Sequence, residues 1–341
     1  MRTIIIGAHS APYMMIAHRG VKDETSSRLS APMLCVMLLF CTALIVTSPA
    51  WAAGESGIAV VYPDIGEPYR GIFEKIIEGI EAKAGDRVTK QPLNSGTDIG
   101  ALKASLLREN TKVVIALGRQ GMKTATVLNS GIGVVVGGVL TVPESEARGQ
   151  PVISLSPDPA LLFARMKALM PATKRVFVVY DPAYNDWLIN LAKEAARAQE
   201  LELVAYEAQD LRSAVRYYQE IFSAADSHSD VLWLPQDSTT VEESSVLPMV
   251  LQESWNRDIA VFSSNSAHVR RGVLFSLYPD NLGLGKSLAE LALGFLRSGD
   301  YEKSGMMPLR NVQTAVNLRT AKHLRLKPSR LQGFETTFPE Q

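Results

Sequence analysis

Polar and aromatic side chains stand directly after apolar runs along this 341-residue chain, and such positions can hold a small ligand. Tyr62 closes the run Ile58–Tyr62, and Tyr69 opens the segment after it. Arg119 and Gln120 follow Val113–Leu117. Tyr180, with Tyr184 and Asn185, ends Val176–Tyr180, while Asp237 and Ser238 follow Val231–Leu234. Ser263 and Ser264 follow Ile259–Phe262, and Tyr278 follows Val273–Leu277. Aromatic rings can stack on a ligand, an Arg can pair with its carboxylate, and hydroxyls and amides can fix its orientation. Any one of these loops is ordinary turn chemistry, since Pro, Asp, Asn and Ser belong in turns. Their joint placement after strands points to one site built from several loops.

Catalytic and cofactor motifs do not reach the same standard. Gly131-Ile-Gly133 with Gly137 and Gly138 misses the dinucleotide spacing at Val136, and these glycines precede an apolar run rather than follow one. Gly283-Leu-Gly285-Lys286-Ser287 ends like a phosphate loop, but its first required glycine falls at Asp280, so it reads as a helix start. His228, His268 and His323 lack metal-ligand spacing, and no nucleophile elbow is present. Glu242-Glu243 reads as acid at a helix N-terminus, where the macrodipole favours it. The expectation is a binding protein, not an enzyme, with no cofactor and no metal.

The elements that must position these loops alternate regularly. Short Val- and Ile-rich runs are separated by segments with apolar residues at helical spacing, such as Ile72, Phe73, Ile76, Ile77 and Ile80. That alternation predicts parallel sheets covered on both faces. The strands are too many for one comfortable sheet, and the pattern restarts near Thr173. The expected fold is therefore α/β, two doubly wound parallel-sheet lobes around a ligand cleft. Open α/β sheets bind ligands beyond the carboxyl ends of their strands.

Residues 1–52 read as a leader. Arg19, Lys22 and Arg28 precede the uncharged run Ala31–Val46, and Ala50-Trp51-Ala52 fits a cleavage site. The run is shorter than the roughly 20 apolar residues of a membrane span, although a retained anchor is the alternative. Met14, Met15 and Met33 are further candidate starts. Both cysteines, Cys35 and Cys41, fall in the leader, so the mature chain would have no thiol. The whole chain carries 35 basic and 35 acidic residues; the leader takes four basic and two acidic ones with it, leaving a net charge of −2. That balance lacks the basic excess of a nucleic-acid binder. An exported, periplasmic protein is expected.

Longer runs carry a resemblance. Asp230-Val-Leu-Trp-Leu-Pro-Gln-Asp237, Ile259-Ala-Val-Phe-Ser-Ser264, the stretch Val269–Asp280, Leu284-Gly285-Lys286 and Val316–Ala321 resemble the ABC-transporter substrate-binding proteins of the tryptophan/tyrosine-type family. The resemblance implies a type I periplasmic-binding-protein fold whose chain crosses between lobes three times. It implies lobes of roughly 57–157 plus 272–305 and 158–271 plus 306–341. It further implies that Asp237 meets a ligand ammonium, that Tyr278 lines the cleft and that Ser263 and Ser264 contribute contacts. Arg119 is the candidate partner for a ligand carboxylate. Two first-lobe segments, Arg119–Met122 and Gly138–Thr141, depart from the family pattern and leave the ligand unspecified. The implied role is capture of a small polar or amino-acid-like molecule by a monomer serving an ABC permease. The alternative is a sensory module of the same fold reporting to a membrane kinase or cyclase, and an exported enzyme ranks third.

Overall fold

The computed structural model describes residues 57–67, 69–128 and 131–339. The expected leader lies outside the described residues, among which no helix is long and apolar enough to cross a membrane.

The first half runs β1 (Ile58–Pro63), α1 (Tyr69–Ala84), β2 (Val88–Leu93), α2 (Ile99–Arg108), β3 (Val113–Leu117), α3 (Gly118–Leu128), β4 (Gly133–Val139), α4 (Glu144–Ala147) and β5 (Pro151–Pro157). The second continues α5 (Pro159–Leu169), β6 (Arg175–Tyr180), α6 (Pro182–Ala198), β7 (Glu202–Glu207), α7 (Leu211–Ala224), β8 (Asp230–Leu234), α8 (Val246–Asn256), β9 (Ala260–Ser263), α9 (Ser266–Arg271) and β10 (Phe275–Pro279). The chain closes with α10 (Asn281–Ser298), β11 (Gly305–Leu309), β12 (Val312–Asn317), α11 (Leu318–His323) and β13 (Thr336–Phe338).

These strands form two sheets. The first has the order β11-β5-β4-β3-β1-β2 and is parallel throughout. The second has the order β13-β12-β10-β9-β8-β6-β7 and is parallel except where β12 runs antiparallel to β10. Alternation along the strands explains why helices cover both faces. Ile58 and Val60 of β1 point into a core with Ile76, Ile80 and Leu288, while Ala59 and Val61 point into one with Leu106, Met122 and Leu128. The second sheet repeats the arrangement: Trp233 packs with Phe163 and Leu188, and Leu232 with Tyr218 and Val250. Trp233 meets Phe163 edge to face at 5.7 Å between ring centres, and its indole N–H donates to Ser264 Oγ at 3.2 Å.

Two sequence expectations on segment boundaries change here. The expected first lobe includes 272–305, yet β10 pairs with β9 and β12 in the second sheet. The expected second lobe includes 306–341, yet β11 pairs with β5 in the first sheet. The reason is hydrogen bonding: Phe275–Pro279 completes its ladder on Phe262 and Ser263 before the chain leaves for α10. The chain thus passes between sheets after β5, after β10 and between β11 and β12.

The helix α10 returns to the first sheet and lies against α1 at backbone distance. A Cβ added to Gly285 would fall 2.0 Å from the carbonyl oxygen of Ile76, and one on Gly79 would fall 2.1 Å from that of Leu282. The Gly283–Ser287 run is accordingly the first part of a helix, and its central glycine serves helix packing. Gly137 has a similar task, since a Cβ there would meet Leu288 at 2.5 Å.

Candidate functional site

A cavity of about 630 Å³ lies where the carboxyl ends of the two sheets face each other. Leu140 and Thr141 after β4, with Leu155 and Ser156 of β5, form its wall on the first sheet. Tyr184 and Asn185 from the start of α6, with Pro235–Ser238 after β8, form the opposite wall. Val241, Glu242, Glu243, Asn265 and His268 complete it. A second chamber of about 420 Å³ shares Leu155, Gln236 and Asn265 with the first and reaches Tyr278 of β10 and Lys75 of α1.

The loop after β8 is held by Asp237. One carboxylate oxygen accepts from the backbone N–H of Asp181 at 2.7 Å and from Asn185 Nδ2 at 2.9 Å. The other accepts from the N–H groups of Thr239 at 2.9 Å and Thr240 at 3.0 Å. Thr240 Oγ1 donates onward to the carbonyl of Val179 at 3.1 Å. Asp237 therefore ties the loop after β8 to the loop after β6. Its carboxylate accepts four donors of the protein itself, which gives it a positioning task at the cavity wall.

The loop after β9 is held in the same manner. Asn265 caps α9 through its side-chain oxygen, which accepts from Ala267 N–H at 3.0 Å. Ser263 Oγ accepts from Asn265 N–H at 3.0 Å and lies 2.9 Å from His268 Nδ1. Burial holds the His268 imidazole below its usual 6.5; Arg271 adds to that lowering and Glu243 opposes it. Glu242 is held to about 2 by hydroxyl and N–H donors from Ser244 and Ser245.

Of the residues singled out from sequence, Tyr184, Asn185, Asp237 and Ser238 line the larger chamber, and Tyr278 lines the smaller. The others stand elsewhere. Tyr180 is buried in the second-sheet core, with its hydroxyl donating to Glu207 at 3.1 Å, and burial pushes that hydroxyl up to about 12. Ser263 and Ser264 are fully buried and spend their hydroxyls on His268, Asn265 and Trp233. Tyr62 packs on the first-sheet core, Tyr69 is 60% exposed, and Gln120 is exposed on α3. Arg119 reaches the carbonyl of Thr141 at 3.5 Å from outside the cavity lining. Beyond the strand ends the chain turns, and Asn265 and Gln236 line the cleft where the buried Ser264 and Leu234 do not. Tyr184, Gln236 and Asn265 sit in the loops that sequence pointed to. His268 carried no such signal, because it reaches the cleft from a six-residue helix.

The profile of the family described as ABC transporter substrate binding protein matches residues 63–329. The chain belongs to that family. No curated protein matches it. This substrate-binding family member is similar in fold to a ligand-free, open substrate binding protein with adhesive properties from Clostridium difficile, with a TM-score of 0.57 at 16% identity, covering 82% of this chain and 98% of the other. It is also similar to an ABC domain from Streptococcus pneumoniae in complex with L-Trp, with a TM-score of 0.50 at 16% identity over 82% and 98% of the two chains. A conserved domain protein from Vibrio cholerae gives a TM-score of 0.50 at 18% identity over 83% and 99%. At such identities the likeness is one of fold, the type I periplasmic-binding-protein arrangement. Family and fold together give this chain a solute-binding role.

Proposed function

We propose that this protein is exported to the periplasm, captures a small polar or amino-acid-like molecule as a monomer, and presents it to an ABC permease. The observation that carries the reading is the cavity of about 630 Å³ walled by loops from the carboxyl ends of both sheets. A guest there touches Leu155 and Ser156 on one side and Asn185, Gln236 and Asn265 on the other, so both halves gain contact only when they approach. The three crossings form the hinge. Binding then works by population shift, because a ligand that contacts both walls favours the closed arrangement by its differential affinity. No bond in the ligand is made or broken.

The test combines thermal unfolding and X-ray scattering over a pool of amino acids, amines, organic acids and sugars. A true ligand at about 100 times its Kd should add roughly 2.7 kcal/mol of stability. It should also reduce the radius of gyration. A pool in which no compound changes either quantity overturns the capture reading.

A further inference from the structure

A groove of about 590 Å³ shares no lining residue with either chamber of the cleft. Its walls are the last turns of α8 and α9, the start of α11 and the end of β13. Asn317 ends β12 beside the amino end of β10, where its N–H donates to Leu274 O at 2.8 Å. The groove therefore lies at the end of the second sheet opposite the cleft. The guanidinium groups of Arg270, Arg271 and Arg319 line it, and among the described residues no acid does.

Buried polar side chains hold this arrangement. Asn317 is 6% exposed; its Nδ2 donates to Val269 O at 2.8 Å, and its Oδ1 accepts from Thr320 N–H at 3.0 Å. Thr320 Oγ1 donates to Gly272 O at 2.8 Å. These bonds tie the end of α9 to the start of α11 and so bring Arg270 and Arg319 to one groove.

Helix electrostatics account for only part of the charge. Arg270 and Arg271 close α9, where the carbonyl end favours cations. Arg319 is the second residue of α11, at the end where a cation is disfavoured. The acids of the neighbouring elements are engaged with other bases. Asp258 stands 2.9 Å from His323 Nε2, Glu253 stands 2.9 Å from Arg257 Nε, and Glu243 stands 3.9 Å from Arg271 Nη1. Among the described residues no carboxylate comes within ion-pair distance of Arg270 or Arg319. Arg270 rests instead over the Phe338 ring at 5.3 Å, and Arg319 over Trp255 at 5.4 Å. An aromatic face orients a guanidinium without neutralising it. The stretch Val316–Phe334 adds Lys322, Arg325, Lys327 and Arg330 and contains no acidic residue.

We propose that this groove binds a phosphate group, with Arg270 and Arg319 as its principal donors and Arg271 beside them. Three cations facing one cavity repel one another, and a bound anion turns that repulsion into attraction. Each guanidinium is a planar fork that matches phosphate oxygens, and a phosphate offers three forks more acceptors than a single carboxylate does. The site stands whatever the cleft captures.

Calorimetric titration of the full chain in phosphate-free, low-salt buffer tests it, with glycerol 3-phosphate and pyrophosphate set against uncharged glycerol. Both phosphates should bind, and glycerol should not. The double variant Arg270→Gln, Arg319→Gln should weaken both by about tenfold or more, with the melting temperature unchanged. Lys322→Gln with Arg325→Gln removes the same charge outside the groove lining and should change affinity by less than about threefold. Sedimentation with phosphatidylglycerol vesicles, against phosphatidylcholine vesicles, identifies the source of the phosphate. Vesicle binding that is lost with Arg270 and Arg319 assigns a lipid headgroup, and its absence or indifference to them assigns a soluble phosphate compound. Failure of both phosphates to bind, or an affinity that falls equally in the two double variants, would overturn the inference.

Discussion

Asp237 shows how a residue in the right place can carry a different task. Four donors converge on its carboxylate, one from the loop after β6 and one from the first turn of α6. Asp237→Ala strands those donors at a buried position, and a lost partner of this kind costs about 1–3 kcal/mol. Chemical denaturation of the variant should show a loss of about 2–4 kcal/mol, with any fall in ligand affinity secondary to it. His268 belongs to the same scale. Burial depresses its imidazole in the folded chain, assisted by Arg271 and opposed by Glu243. A depressed basic group contributes stability that is complete above its unfolded value of 6.5 and is lost as pH falls through the lower folded value. Melting temperatures taken from pH 7.5 down to 5 should therefore decline, and His268→Gln should flatten that decline. The loops that carry the site were legible from the chain because they follow apolar runs. Which side chain in each loop turns inward was not, since it depends on strand register and on capping bonds such as that of Asn265 to Ala267.

Elements read from apolar periodicity correspond to strands and helices of the structure, among them β1, β3, β6, β8 and the helix α1. The pair β2 and α2 escaped that reading. β2 carries Thr89, Lys90 and Gln91 on a sheet edge, so its apolar signal is weak. Likewise β11 and β12 contain few consecutive branched residues, and their placement depends on pairing partners far away in sequence. The α1–α10 contact offers a sharp test at this scale. Gly→Ala inside a helix is normally favourable by up to about 1 kcal/mol. At Gly285 the new Cβ would lie 2.0 Å from Ile76 O, and overpacking of that kind costs about 1–3 kcal/mol or more. Gly285→Ala should therefore destabilise. Gly294→Ala, whose Cβ meets only Arg297 Nη2 at 4.0 Å in the same helix, should stabilise slightly. Urea unfolding of both variants checks for the opposite signs.

Across the whole molecule, three passages between the sheets join in one place. Asp158 N–H donates to Leu309 O at 2.9 Å, and Asp280 N–H donates to Asn311 O at 3.0 Å, so neighbouring passages are bonded to each other. The first sheet needs β11 and α10, which the chain delivers only after the second sheet is nearly built. Calorimetry should therefore record one cooperative transition, with calorimetric and van't Hoff enthalpies equal, in place of two separate melts. The same interleaving limits how the binding specificity of such a molecule can be recombined. Neither half corresponds to an unbroken stretch of gene, so a chimera that exchanges one half with a relative must change parent at three joints together, and a single-crossover swap builds at least one sheet from both parents.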